Sequence, residues 1–154
     1  MIEEKFFTFS NFTRNLDNWL TPCEEDYIEM MYRIYLQSLP IKVNDLANKL
    51  NVKPPSVTKM MKKLSLKNII FFEKYKQIIL SPKGIEIGVF LINRHNTIKK
   101  FLEILNVNLD INQETEKIEH TLSNETLEKI NNLTIFFENN KNILKFFHDF
   151  SHNY

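Results

Sequence analysis

The stretch NDLANKLNVKPPSVTKMMKKL, residues 44–64, decides the fold. Asn44 predicts the cap of a short helix, and Pro54 and Pro55 predict the start of a second helix after a tight turn. Apolar residues recur at helical spacing in both segments: Leu46, Ala47 and Leu50, then Val57, Met60, Met61 and Leu64. Two short helices joined in this way, the second rich in lysine, form the pattern of a helix-turn-helix.

The residues after this helix pair predict a β-hairpin. The runs 69–72 and 78–80 are rich in isoleucine and phenylalanine and flank a polar segment, residues 74–77. A hairpin directly after the second helix is the wing of a winged helix-turn-helix. Ser81 and Pro82 then predict the start of a long helix that ends near Leu105.

Further segments also predict helices, so the expected fold class is mainly α with a small β-hairpin. Thr21, Pro22 and Glu24 predict a capped helix that runs to about Gln37. Its expected apolar face consists of Tyr27, Met30, Met31, Ile34 and Tyr35. Helical spacing also predicts a short amphipathic helix over 10–20 and helices over 111–122, 124–138 and 142–152, with Ser123 as a cap.

Positive charge is concentrated in the predicted winged helix. Residues 42–83 hold ten lysines against Asp45 and Glu73, a net charge of +8, whereas the rest of the chain carries −7. A solvated lysine-rich surface gives the same composition, but here the basic block coincides with a helix-turn-helix and therefore predicts DNA binding. The candidate contacts to bases and phosphates are Lys53, Pro55, Ser56, Thr58, Lys59, Lys62, Lys63, Lys74 and Lys76.

The composition argues against several other classes of protein. The 154 residues include only two glycines, which disfavours a glycine-rich phosphate loop, and the single Cys23 rules out an internal disulfide and a thiolate zinc cluster. The longest apolar run, Ile87–Ile92, is far shorter than the about 20 residues that a membrane span needs. We expect a soluble, cytoplasmic protein with no membrane partner.

Acidic and imidazole side chains recur at helical spacing outside the lysine block. They are Asp26 and Glu29, then Glu116, Glu119 and His120, with His95 in the predicted long helix. Carboxylates that share one helical face repel each other unless a cation neutralises them, so the set would suit one divalent ion or a close pair. Solvated carboxylates and a hydrogen-bonded core histidine are the alternative, and spacing alone leaves both open.

Motifs spread over residues 21–138 resemble one known family. The motifs are TPCEEDYIE (21–29), PSVTKM (55–60), FEKY (72–75), RH (94–95) and IEHTLS (118–123). In order and spacing they resemble the manganese-responsive repressors of the diphtheria-toxin-repressor-like family. The resemblance implies a winged-helix DNA-binding domain (21–81) and a helical metal-binding and dimerisation domain (82–154). Residues 1–20 depart from the family pattern and are expected to form an N-terminal, helical extension.

The resemblance also implies a set of metal ligands. They are Asp26, Glu29, His95, Glu116, Glu119 and His120. In the iron-responsive branch of the family a methionine replaces Asp26 and a cysteine replaces Glu116, so this chain follows the manganese branch, and hard oxygen ligands suit Mn²⁺. The implied protein is a homodimeric repressor that senses Mn²⁺, with one or two ions per subunit, binds a palindromic operator and controls metal uptake.

Other functions stay open on the sequence alone. An iron-responsive regulator of the same family would use Fe²⁺ or another divalent ion, and a winged-helix regulator of a different kind would respond to a small organic ligand. A metal-dependent hydrolase needs an open coordination position and a cleft, and no nucleophile motif accompanies the ligands, so we expect no enzyme and no organic substrate. For His148 and His152 in the tail, a packed helix end is favoured over a second metal site.

Overall fold

The computed structural model describes residues 19–73 and 76–152, and these residues form seven helices and one two-stranded sheet. The elements are α1 (Pro22–Leu36), α2 (Val43–Lys49), α3 (Pro54–Leu66), β1 (Ile70–Phe71), β2 (Ile79–Leu80), α4 (Pro82–Ile104), α5 (Ile111–Glu119), α6 (Asn124–Asn139) and α7 (Lys141–His152). The expected class, mainly α with a small hairpin, is confirmed. The helix predicted over 10–20 falls almost entirely outside the described residues. No described helix is both long and apolar enough to cross a bilayer.

The chain divides into two compact units. The first spans Leu20–Ile92 and contains α1 to α3, the hairpin and the first part of α4. In the second, the described residues from Asn93 onward form the rest of α4 and the helices α5 to α7.

Helix α1 begins as its sequence predicts. The Thr21 hydroxyl accepts a hydrogen bond from the Glu24 backbone N–H, and Glu24 Oε2 accepts one from the Thr21 backbone N–H, which completes a capping box. The buried face matches the predicted one at Tyr27, Met31 and Ile34 and differs from it elsewhere. Ile28 and Tyr32 are buried, whereas Tyr35 is 47% exposed, because the buried stripe is rotated around the helix toward those two residues.

Helix α2 starts at a different residue from the one the sequence suggested. Its N-cap is Lys42, which makes no side-chain capping bond, and Asn44 lies exposed inside the first turn. The prediction that Asn44 caps this helix is therefore wrong. The cause is a long-range contact: Ile78 N–H donates to the Ile41 carbonyl over 2.9 Å, so the chain is still extended just before Lys42.

Helix α3 buries the residues that its periodicity predicts. Val57, Met61 and Leu64 have no exposed surface, and Met60 is half-buried. The turn that leads from α2 to α3 contains Asn51 with a φ of 52°. Asparagine tolerates this left-handed conformation better than most residues, and it serves where many proteins use glycine.

The hairpin that follows α3 is short and has a defined register. Ile70 lies opposite Leu80 and Phe71 opposite Ile79 in an antiparallel pair. Ile70 and Leu80 point into the core, whereas Phe71 and Ile79 are exposed, as the two-residue alternation of strands requires. The hairpin therefore has one face against α3 and one face toward solvent.

Ser81 fastens the hairpin to the start of α4. Its hydroxyl lies 2.8 Å from the carbonyl oxygens of Asn68 and Ile69 and accepts a hydrogen bond from the Gly84 N–H at 3.0 Å. The predicted helix start at Ser81 and Pro82 is thus confirmed. Because the Ser81 side chain bonds to both segments, the first turn of α4 is fixed against the end of α3.

The second unit has a core of its own. Ile98 and Leu102 of α4 and Leu127 of α6 are buried together. Four partly buried residues pack against them: Val107, Ile111, Ile118 and Leu122. Helix α5 is shorter than predicted and ends at Glu119, and Ser123 caps α6 as expected by accepting from the Thr126 N–H.

The tail helix α7 packs against the same unit. The Phe137 and Phe147 rings lie 5.4 Å apart between centroids, and His148 Nε2 donates to the Ile104 carbonyl over 2.7 Å. His148 thus serves as a packing residue with a backbone partner, which favours the packed helix end over a second metal site.

We predict that Gly84→Ala destabilises the protein. A Cβ atom at position 84 would lie 2.2 Å from the Ile69 carbonyl oxygen, which is backbone and cannot swing aside. The expected loss of unfolding free energy is about 2 kcal/mol, as for overpacked cores, and urea denaturation followed by circular dichroism measures it. The control Glu86→Ala changes an exposed residue of the same helix and should leave the midpoint nearly unchanged. Equal midpoints for the two variants would contradict the predicted clash.

Candidate metal centre and DNA interface

Helix α3 directs its polar residues outward. Lys53, Pro55, Ser56, Lys59, Lys62 and Lys63 are exposed. Thr58 is half-buried, and its hydroxyl donates to the Pro54 carbonyl over 3.2 Å. In the hairpin, Lys76 is exposed and forms an ion pair with Glu73, and Lys74 lies outside the described residues. The described lysines on α3 thus form one basic surface on the side of the helix opposite Val57 and Leu64.

The C-terminal end of α3 is held by a buried carboxylate from α1. The Glu24 side chain has no exposed surface, and its Oε1 lies 2.7 Å from Lys67 Nζ and 3.4 Å from Lys63 Nζ. Burial by itself would raise the pKa of Glu24, but the bonds from Lys67 and from the Thr21 backbone and hydroxyl lower it to about 2. Glu24 is therefore ionised at neutral pH and joins the first turn of α1 to the end of α3.

Two of the predicted metal ligands lie on α1. Asp26 is half-buried and Glu29, one turn further along, is buried. The Arg33 guanidinium donates to Glu29 Oε1 from Nη2 at 2.6 Å and from Nε at 3.0 Å. Arg33 thus orients the Glu29 carboxylate and supplies a positive charge beside it.

Two further predicted ligands meet in the second unit. His95 Nδ1 lies 2.9 Å from Glu119 Oε2, and the two residues are 7% and 1% exposed. An Nδ1–H that donates to the carboxylate leaves the lone pair on Nε2, and histidines that bind metals are commonly oriented in this way. The donor types and their burial therefore fit a divalent ion at this position.

The other two predicted ligands are placed differently from each other. His120 is half-buried beside the pair, with Nε2 3.7 Å from Glu119 Oε1, and its Nδ1 accepts from Arg94 Nη2 at 3.3 Å. Glu116 is exposed, one turn before His120 on the same side of α5. In this unit the structure brings His95, Glu119 and His120 together and leaves the Glu116 side chain at the surface.

Sequence reasoning missed several residues that organise these sites. The sequence predicts Glu24 only as part of a capping box, and it indicates no specific partner for Lys67 or Arg94. The spacing of Glu29 and Arg33, four residues apart on one helix, was a usable signal for an ion pair. The pairing of Glu24 with Lys67 had no local signal, because it depends on how α1 packs against α3.

The two halves of the chain match the two parts of one family. Residues 19–78 match the domain described as "Iron dependent repressor, N-terminal DNA binding domain", and residues 81–145 match "Iron dependent repressor, metal binding and dimerisation domain". The chain belongs to the iron-dependent repressor family. It is a metal-dependent, DNA-binding transcriptional regulator and not an enzyme, with a divalent metal ion as cofactor and with DNA and a second copy of itself as partners.

Individual relatives agree with this family assignment. The HTH-type transcriptional regulator MntR of Listeria welshimeri is 40% identical over 126 residues, which cover 81% of this chain and 89% of the relative. MntR of Bacillus pumilus is 42% identical over 119 residues, or 77% of this chain and 83% of the relative. Among solved structures, that of the manganese regulator SloR superimposes with a TM-score of 0.64 at 31% identity over 74% of this chain. The match spans only about half of SloR, 54% of its chain.

The lowered pKa of Glu24 predicts how the contribution of this residue to the stability of the fold depends on pH. Because the folded pKa of about 2 lies below the ordinary value of 4.5, ionised Glu24 stabilises the fold fully above pH 4.5, and this contribution is lost as the pH falls toward 2. Glu24→Gln should therefore cost about 3 kcal/mol at neutral pH, the lower end of what is expected on removing one partner of a buried ion pair, because the Lys67 side chain is 24% exposed. The difference from the unmodified protein should shrink with acidification below pH 4.5.

Denaturant unfolding of the full chain over a pH series, with chelator present, measures this difference. Glu86→Gln removes an exposed carboxylate and is the control. If Glu24→Gln lowers the free energy of unfolding by the same amount at every pH, the charge of Glu24 does not stabilise this contact.

Proposed function

We propose that this protein is a manganese-responsive repressor that binds a palindromic operator as a homodimer and controls metal uptake. The observation that carries the proposal is the buried pair of His95 and Glu119, 2.9 Å apart, within a family domain that binds metal. The manganese named for the regulator SloR supports the choice of ion.

The proposed ligands are oxygen and imidazole donors. They are Asp26 and Glu29 from the first unit and His95, Glu116, Glu119 and His120 from the second. Carboxylates at positions 26 and 116 suit a hard ion such as Mn²⁺, whereas soft sulfur ligands would favour other metals. Zn²⁺ usually binds nitrogen and oxygen sites more tightly than Mn²⁺, so selectivity for manganese has to come from coordination geometry and metal supply. A bound divalent ion would neutralise the carboxylates, and one or two ions per subunit are compatible with six ligands.

The proposed ligands explain how metal and DNA binding are linked. We assign the winged-helix domain to residues 21–81 and the metal-binding and dimerisation domain to 82–154. An ion bound by ligands from both domains would restrain the angle between the two domains. That angle would set the separation of the two α3 helices in a dimer. Metal then raises the affinity for operator DNA by the factor by which it binds the DNA-competent arrangement more tightly than other arrangements. Operator DNA raises the affinity for metal by the same factor.

The proposed DNA contacts lie on α3 and the wing. Pro55, Ser56 and Thr58, near the N-terminal end of α3, would meet base edges. The lysines at 53, 59, 62, 63, 74 and 76 would meet phosphates, which fix the register of the helix on the duplex without reading sequence. The exposure of the described members other than Thr58, which is half-buried, supports their proposed place at the interface.

We predict that Mn²⁺ strengthens operator binding and that the buried pair is required for it. Fluorescence anisotropy with a duplex selected by the protein from a randomised pool should show at least tenfold tighter binding in Mn²⁺ than in chelator, within the usual range of allosteric coupling. Glu119→Gln and His95→Asn should remove most of this enhancement. His152→Gln, an exposed histidine of the tail, is the matched control and should retain it.

Equal affinity in chelator and in excess Mn²⁺ would contradict the proposal and favour a regulator that responds to an organic ligand. A larger enhancement by Fe²⁺ than by Mn²⁺ under anaerobic conditions would favour the iron-responsive alternative. Replacing Glu116 and His120 together separates metal regulation from ligand regulation, because only a metal-dependent protein would lose its response.

The lysine surface predicts a steep salt dependence of DNA binding. Each phosphate contact contributes about −0.9 to the slope of log affinity against log salt concentration. Lys59→Gln should make the slope shallower by about that amount, whereas Lys141→Gln, an exposed lysine outside the basic block, should leave it unchanged. Identical slopes for all three proteins would exclude Lys59 from the interface.

A further inference from the structure

Glu24 connects the helix that carries Asp26 and Glu29 with the helix proposed to enter DNA. One oxygen, Oε2, is held by the Thr21 backbone N–H at 2.8 Å and by the Thr21 hydroxyl at 3.0 Å. The other oxygen, Oε1, faces the ammonium groups of Lys67 and Lys63. The carboxylate thus bonds to the first turn of α1 on one side and to the end of α3 on the other.

The two lysines differ in a way that suggests different roles. Lys67 is closer to Oε1, at 2.7 Å, and its side chain is only 24% exposed. Lys63 lies farther away, at 3.4 Å, and its side chain is 51% exposed. Lys67 can therefore neutralise Glu24 by itself, while the Lys63 ammonium, within reach of Glu24, is also accessible to a phosphate.

We propose that Glu24 is a positioning residue for DNA binding, which holds the Lys63 ammonium at the end of α3 in the orientation that meets a phosphate. This inference rests on the proposed function, since it requires α3 to bind DNA. It adds a contact through which α1, the helix with two proposed metal ligands, acts on a DNA-contacting side chain.

Helix capping alone does not explain a charged residue at this position. A capping box works with glutamine as well as with glutamate. A buried carboxylate, in contrast, has a desolvation cost that only close cations offset, and the cations here come from α3 and its C-cap. Glu24→Gln can therefore keep the cap through its amide oxygen, while the charged oxygen that faces the lysines is replaced by a neutral amide NH2 group.

Simple electrostatics and positioning predict opposite effects of this substitution. Removing a negative charge makes the protein more basic, which should strengthen its attraction to DNA. If Glu24 orients Lys63, the same substitution should weaken binding, because one phosphate contact loses its fixed geometry.

The test compares the full-length protein with Glu24→Gln, Lys63→Gln and the double variant in saturating Mn²⁺, with Glu86→Gln as the charge-matched control. Affinity for the duplex selected from the randomised pool is measured at several salt concentrations. Glu24→Gln and Lys63→Gln should each bind about fivefold more weakly and have a slope shallower by up to about 0.9. The double variant should have the same slope as Lys63→Gln, while Glu86→Gln should bind at least as tightly as the unmodified protein.

Several results would overturn the inference. Binding by Glu24→Gln that equals that of Glu86→Gln would leave Glu24 without a role in DNA recognition. Weaker binding with an unchanged salt slope, persisting in the Lys63→Gln background, would show a purely structural effect on folding. A salt slope for Lys63→Gln equal to that of the unmodified protein would show that Lys63 does not contact a phosphate.

A second variant covers the case in which Glu24→Gln does not fold. Among the lysines that the structure describes, Lys67→Gln leaves Lys63 in contact with Glu24. The substitution should draw the Lys63 ammonium inward and make the salt slope shallower. A slope equal to that of the unmodified protein would contradict the inference. Failure of the proposed function is distinguishable, because the unmodified protein would then show no Mn²⁺ response at all.

Discussion

A carboxylate removed from water needs a positive charge or several hydrogen-bond donors beside it, and the buried Glu24 and Glu119 impose this constraint on one unit each. In the first unit Glu24 is matched by Lys67, which fixes the end of α3 against α1. In the second unit Glu119 is matched by His95, which fixes α4 against the end of α5. Both matched pairs involve elements that the proposed function uses, one for DNA and one for metal.

Local sequence signals predicted most of the helices. The capping box at Thr21, the two prolines that begin α3 and Ser123 at the start of α6 each act within one helical turn, so their effects are visible in the sequence. The predicted start of α2 is wrong because a contact between distant residues decides it. Its position depends on the bridge between Ile41 and Ile78, and no local pattern reveals a contact between such distant residues.

The candidate site was predictable in its chemistry and less so in its geometry. Spacing placed Glu116 and Glu119 on one face of a helix, but only packing decides that Glu119 is buried beside His95 and that Glu116 is exposed. Arg94, which contacts His120, is likewise placed by packing, whereas Arg33 lies four residues after Glu29 on the same helix and is predictable from that spacing. A pattern of residue types therefore identifies donors, and the fold determines which of them meet.

The left-handed asparagines at the helix ends have a consequence for the denatured protein. Asn51, Asn68 and Asn106 occupy positive-φ positions that glycine fills in many other chains. Glycine would relax the backbone at each position, but it would also enlarge the number of conformations open to the unfolded chain. With only two glycines in 154 residues, the disordered ensemble is comparatively restricted, and less conformational entropy is lost when these turns form.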